Sequence, residues 1–201
     1  MATQKEVGQI DPKKCIFFLC DVQDGYTPRT FNMPMVVHTS ALCCKLAKLF
    51  DIPLLVAEQD RANLGDTIPA IKKEWPTENI KVYEKFQFNM LTPEILDYLA
   101  QHKDRDTIVI FGLYIHNCVK HTTLDLIKRG WKVQIVADGV SSHTEHDRSV
   151  GMHRCVHAGA YATTSESLAL EMCFTAKNPL FPKVYELIND PNRPKTHFTN
   201  L

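Results

Sequence analysis

The sequence predicts an α/β fold: a doubly wound, Rossmann-like three-layer sandwich around a six-stranded parallel sheet in the order 3-2-1-4-5-6. Two patterns lead there. Short β-rich runs alternate with longer helical ones, as parallel strands joined by helical crossovers require. Four of the runs are also almost continuously apolar, as strands covered on both faces must be: 15–21 (CIFFLCD), 53–58 (PLLVAE), 107–112 (TIVIFG) and 132–137 (KVQIVA). Two weaker runs, 80–84 and 160–164, complete the sheet.

Helices fill the intervals. Residues 34–50 open on a proline suited to a first helical turn, and 117–129 is followed by Gly130, which suits the position just past a helix end. Thr163 with Glu166 reads as a capping box opening a helix through about residue 174, and 145–158 reads as a helix with a glycine just beyond. Shorter helices are expected near 68–74 and 93–101. The polar segment 189–201 carries two prolines and reads as an extended tail or subunit arm. The expected organisation is an N-terminal extension (1–13), one domain (14–188) and this tail.

A chain of 201 residues slightly exceeds the roughly 150 of a one-domain prior, so one domain with a tail fits better than two. Lys plus Arg number 23 and Asp plus Glu number 23, which supplies no field favouring phosphate backbones or anionic lipid. A nucleic-acid partner is therefore not favoured. No apolar stretch approaches the roughly 18 residues of a membrane span, and MATQKEVGQIDPKK lacks the apolar core of a signal peptide. A cytoplasmic protein with no membrane partner is the expectation, with an organellar location still compatible.

Seven cysteines, an odd number without CxxC spacing, suit a reduced compartment. Cys15, Cys20, Cys43, Cys44 and Cys173 read as small core hydrophobes. Cys118 differs because the segment IVIFGLYIHNCVKHTTLDL places it where an apolar strand passes through a glycine into an amphipathic helix. At a helix entrance, unpaired N–H groups and the positive end of the dipole favour a thiolate and can hold an oxyanion.

Ligands of open α/β sheets bind beyond the carboxyl ends of the strands, near the point where strand order reverses. The first strand ends in Asp21 and the fourth leads to Cys118; in the predicted order these strands are neighbours at that point, so the two residues can face each other across one crevice. Lys85 follows the weak strand KVYE, beside Phe86 and Phe88. A lysine after a strand is ordinarily solvated; if enclosed, it needs a partner such as Asp21.

These residues carry a resemblance. CDVQDGY at 20–26, EKF at 84–86 and GLYIHNCVKHTTLDL at 112–126 resemble the three signature segments of the isochorismatase-like hydrolases, in order, spacing and strand context. VADGVSSH at 136–143 and TTSESLALEM at 163–172 resemble later strand-end segments, so the match spans roughly 14–187. The resemblance implies a catalytic triad of Asp21, Lys85 and Cys118, an oxyanion hole from the backbone amides of Tyr114 and Cys118, a cis peptide between Leu113 and Tyr114, and a homo-oligomer.

In chemical terms, Asp21 would take the Cys118 proton, the thiolate would attack an acyl carbon, and Asp21 would protonate the leaving amine before water releases the covalent intermediate. Lys85 would lower the pKa values of both Asp21 and the thiol by opposite charge. Gln23, Phe86 and Tyr114 are expected to bind substrate, with Tyr26 and Phe88 extending an apolar wall. Nicotinamidase-type relatives carry an Asp-x-His metal motif after the second strand; here the region reads EQDRANLGD, so no metal and no cofactor are expected. Isochorismate-cleaving members typically lack the cysteine; what remains resembles the isochorismatase domain-containing subgroup. His153 and His157 share one helix face, near His143 and His146, but complete no recognised ligand spacing. His116 lies close to Cys118 in sequence, yet its side chain is expected to diverge from it.

The leading expectation is a cysteine hydrolase of a small amide or acyl-type substrate. A ribonuclease-type or RNA-associated protein and a non-catalytic oligomeric binding protein on the same fold are the alternatives.

Overall fold

The computed structural model describes residues 7–77 and 80–195. Part of the expected N-terminal extension (1–6) and the end of the expected tail (196–201) lie outside the described residues. The elements run β1 (Cys15–Cys20), α1 (Met33–Leu49), β2 (Leu54–Gln59), α2 (Arg61–Leu64), α3 (Pro69–Lys72), β3 (Val82–Lys85) and α4 (Pro93–Gln101). Then come β4 (Thr107–Leu113), α5 (Cys118–Lys128), β5 (Lys132–Ser141), α6 (Glu145–His157), β6 (Tyr161–Thr163), α7 (Ser165–Cys173) and α8 (Phe181–Ile188). The six strands are all parallel, in the order β3-β2-β1-β4-β5-β6. This is the sheet that the alternating pattern predicts, and its order reverses between β1 and β4.

β1 is buried along its whole length because it is covered twice. Phe17 and Leu19 pack under α1, α3, α7 and α8 with Val36, Leu46, Ile71, Leu168 and Val184. The alternate residues Ile16, Phe18 and Cys20 pack against α4, α5 and α6 with Ile95, Leu126 and Met152. The two-residue period of a strand thus turns one apolar run into two cores.

Several details differ from the sequence expectations. β5 continues to Ser141 because of an irregularity against β4: Ile110 pairs with Ile135, but Gly112 pairs with Val140. That extension carries Ser141 to the turn after β4, where its carbonyl accepts the Ile115 N–H at 2.9 Å. The cap of α7 is Thr164, which accepts from the Ser167 N–H, and not Thr163, which ends β6. Glu166 closes no capping box and instead meets Arg193 at 3.2 Å. The start of the expected tail is not an extended arm, since Arg193 turns back and also pairs with Asp138 at 3.5 Å. α2 and α8 were not anticipated; α2 has only four residues, while α8 buries Val184 and Ile188 in the first core. No described helix is long and apolar enough to cross a membrane.

Candidate active site

Three strand ends converge at the reversal point. Asp21 follows β1 directly, in a left-handed conformation (φ 52°) that aspartate tolerates better than most residues. Its N–H donates to Ala57 O at 3.0 Å, so the carboxylate is fixed at the β1–β2 boundary. Lys85, the last residue of β3, reaches past β2 to place Nζ 2.7 Å from Asp21 Oδ2, and neither side chain is exposed. The enclosed lysine has the partner that burial demands.

From the other side, Gly112 lets β4 approach β1. Its φ is +115°, and a Cβ there would lie 2.1 Å from Cys20 O. The Leu113–Tyr114 peptide is cis, as the family resemblance implies. The chain then turns, with the Asn117 and Val119 N–H groups both donating to Tyr114 O at 2.9 and 3.1 Å. α5 begins at Cys118, so that residue's N–H belongs to the first turn, whose donors have no intrahelical acceptor. α6 supports the turn by close backbone contact, since a Cβ on Gly151 would lie 2.8 Å from His116 N.

The Asp21 carboxylate faces Lys85 and the thiols of Cys118 and Cys20. Asp21 Oδ2 takes the ammonium, while Oδ1 is buried without a hydrogen-bond partner. Burial pushes the Asp21 carboxyl above its ordinary 3.8, outweighing the opposing pull of Lys85 and of its hydrogen bonds. The expected lowering of this pKa is therefore corrected: desolvation wins. Burial also works against the Lys85 charge, but Asp21, Cys20 and Cys118 together hold its pKa above 10.5.

Two site residues escaped the sequence reading. Cys20 is not simply core filling; its thiol donates to Leu113 O at 3.1 Å and lies 3.5 Å from Asp21 Oδ2, and burial pushes its pKa well up. Gln59, the last residue of β2, accepts from Lys85 Nζ at 2.7 Å. Gln59 lies one residue beyond the expected run 53–58, so the strand-end rule that singled out Asp21 would have pointed to Glu58 instead.

The expected substrate-binding residues separate. Gln23 is fully buried, and its amide is spent on backbone: it accepts from Gln59 N and donates to Gln59 O and Gly65 O. It supports the loop rather than opening onto a ligand. The Tyr114 ring packs edge-on to Tyr26 at 4.9 Å and tilts against His143 at 4.4 Å, with its hydroxyl 3.1 Å from Thr30 Oγ1. Phe86 is 70 % exposed and Phe88 55 %, so the expected aromatic wall is divided between interior and surface.

His116 turns away from Cys118 to Ser142, Nδ1 to Oγ 2.7 Å, as expected. His157 Nδ1 lies 2.7 Å from the His153 carbonyl oxygen, and among the described residues no group of three or more His, Cys, Asp or Glu could hold a metal ion. Where the metal motif of nicotinamidase-type relatives would fall, Arg61 occupies the acidic group. Its Nε is 2.8 Å from the buried Glu58 and its Nη2 2.7 Å from Asp66. Asp60 accepts from Asn63. A donor set already neutralised by a guanidinium does not fit a dication.

The isochorismatase domain family matches residues 15–167. The chain belongs to the isochorismatase family. It is 35% identical over 188 residues to a secreted isochorismatase effector, Isc1, of Phytophthora sojae, covering 92% of this chain and 90% of that one. Isochorismatase domain-containing protein 2 of Xenopus laevis is 33% identical over 191 residues, covering 95% and 91%. Among solved structures, one described as MAR1 ribonuclease from Caenorhabditis elegans has a TM-score of 0.86 at 31% identity, covering 96% of this chain and 100% of that one. The sheet order described above is thus that of an isochorismatase-family protein in the domain-containing subgroup.

Proposed function

We propose that this isochorismatase-family protein is a cysteine-dependent hydrolase of a small amide or acyl-type substrate. The observation that carries the proposal is the buried Lys85–Asp21 pair at 2.7 Å with the Cys118 thiol facing the same carboxylate. A carboxylate raised by burial is a better base for a thiol than an ordinary one, and its conjugate acid can return the proton. Asp21 takes the S–H proton as sulfur bonds to the carbonyl carbon. The resulting oxyanion accepts from the Tyr114 and Cys118 N–H groups. Collapse breaks the C–N bond, the amine leaves with the proton from Asp21, and a thioester remains. Water, losing a proton to Asp21, then attacks the thioester, and collapse breaks the C–S bond to release the acid as the sulfur takes that proton back from Asp21. Lys85 keeps the carboxylate from carrying an uncompensated buried charge.

The test is intact mass after incubation with a library of small amides and activated acyl compounds. An acyl adduct that maps to Cys118 and is absent from Cys118→Ser supports the proposal; adducts unaffected by that change contradict it. The likeness to a structure described as a ribonuclease motivates a second measurement. The balanced charge, 23 against 23, supplies no net positive field for a phosphate backbone. RNA cleavage that persists in Cys118→Ala would replace the hydrolase proposal.

A further inference from the structure

Lys85 donates to two side chains, and only one of them is charged. Nζ lies 2.7 Å from Asp21 Oδ2 and 2.7 Å from Gln59 Oε1, with Gln87 O more distant at 3.4 Å. The Gln59 amide cannot flip freely, because its Nε2 donates to Phe86 O at 2.8 Å. Its backbone is fixed separately: Gln23 bonds both the N–H and the carbonyl of Gln59, and Gln59 sits opposite Lys85 in the parallel ladder. Side chain and main chain are therefore held by different partners.

We infer that Gln59 is a positioning residue for the hydrolase site, a neutral acceptor that aims the Lys85 ammonium at Asp21 without competing for its charge. The inference rests on the proposed cysteine chemistry, but its geometry does not. A buried ammonium needs acceptors for its hydrogens. A second carboxylate would meet that need yet divide one positive charge between two anions. The groups facing the pair are then the thiols of Cys20 and Cys118 and, further off, the Tyr26 phenol. None supplies a second cation, so the ammonium's charge is available to Asp21 and, during reaction, to the Cys118 thiolate. An amide preserves this balance. It also links the ammonium to the Phe86 carbonyl, so the position of Lys85 is tied to the loop that follows β3.

Gln59→Glu keeps an acceptor near Nζ and adds a charge; Gln59→Met removes the acceptor without adding one. Both keep the backbone bonds to Gln23. The Asp21 carboxyl is followed by carbon NMR titration, its signal assigned by loss in Asp21→Asn. Gln59→Glu should raise the Asp21 midpoint by about one pH unit, and Gln59→Met by less than about half of that. A purely structural role would not separate the two variants. An unchanged midpoint in Gln59→Glu, or equal shifts in both variants, overturns the inference. The reactivity of Cys118 toward iodoacetamide is measured in the same samples. If Asp21 shifts as expected while wild-type Cys118 reacts no faster than the other cysteines, the hydrolase proposal fails and the positioning of Lys85 stands. If Cys118 is selectively reactive and Asp21 does not shift, the reverse holds.

Discussion

Lys85 Nζ and Asp21 Oδ2 lie 2.7 Å apart, from two strands separated by β2, with both side chains shut off from solvent. Removing one partner leaves the other charge buried and alone. Lys85→Met should destabilise the protein by about 3–5 kcal/mol, whereas Lys85→Met combined with Asp21→Asn should cost clearly less than the sum of the single changes. Urea denaturation of the four proteins measures this. Strict additivity would mean that the pair is not coupled.

The raised Asp21 carboxyl gives a pH signature. Between 3.8 and its higher folded value, the folded chain holds a proton that the unfolded chain has released. The stability this group contributes is therefore complete below pH 3.8 and is lost as pH rises through the folded value. Plotted against pH, the unfolding free energy of the wild type minus that of Asp21→Asn should fall from about pH 3.8 upward. A difference that rises over that window would mean that Lys85 outweighs burial.

Two glycines with positive φ separate strain from crowding. Gly130, at φ +89°, has nothing within 4 Å of a Cβ, so Gly130→Ala should cost about 1–2 kcal/mol for backbone conformation alone. Gly112, at φ +115°, would drive its Cβ into the Cys20 carbonyl, so Gly112→Ala should cost about 4 kcal/mol or more and disturb Asp21, the neighbour of Cys20. Thermal unfolding ranks the two; similar losses would contradict the close β1–β4 approach.

The end of β6 offers a local check. Thr164→Ala should cost about 1 kcal/mol because its side chain accepts from the Ser167 N–H, while Thr163→Ala should be nearly neutral. Chemical denaturation of both variants decides where α7 is capped; the opposite ranking restores the capping box over 163–166.

The sheet was legible because strands buried on both faces leave unbroken apolar runs, as in CIFFLC, and because crossover helices alternate with them. Asp21 and Cys118 could be placed together because strand order alone puts β1 beside β4. Other features depend on contacts that no local pattern records. The shift between Ile110 and Gly112 lengthens β5 through pairing with a distant strand. The role of Gln23 required knowing that Gln59 would lie beside it. The direction of the Asp21 shift depended on how deeply the pair is buried, and charge alone suggested the wrong sign. Cys20 looked like core filling because its side chain does point into a core, and only its last atom meets the site. The one-residue error at the α7 cap arose because two threonines stand side by side.

All seven cysteines are buried, so reactivity toward a thiol-selective electrophile separates an activated thiol from inert ones. The decisive measurement is the rate of iodoacetamide alkylation at each cysteine at neutral pH, followed by peptide mass spectrometry. Cys118 should be modified first, and Asp21→Asn should slow its reaction at least about tenfold while leaving Cys15, Cys43, Cys44, Cys155 and Cys173 unchanged. Equal rates at all seven, or a Cys118 rate indifferent to Asp21→Asn, would contradict a nucleophile activated by the Asp21–Lys85 pair.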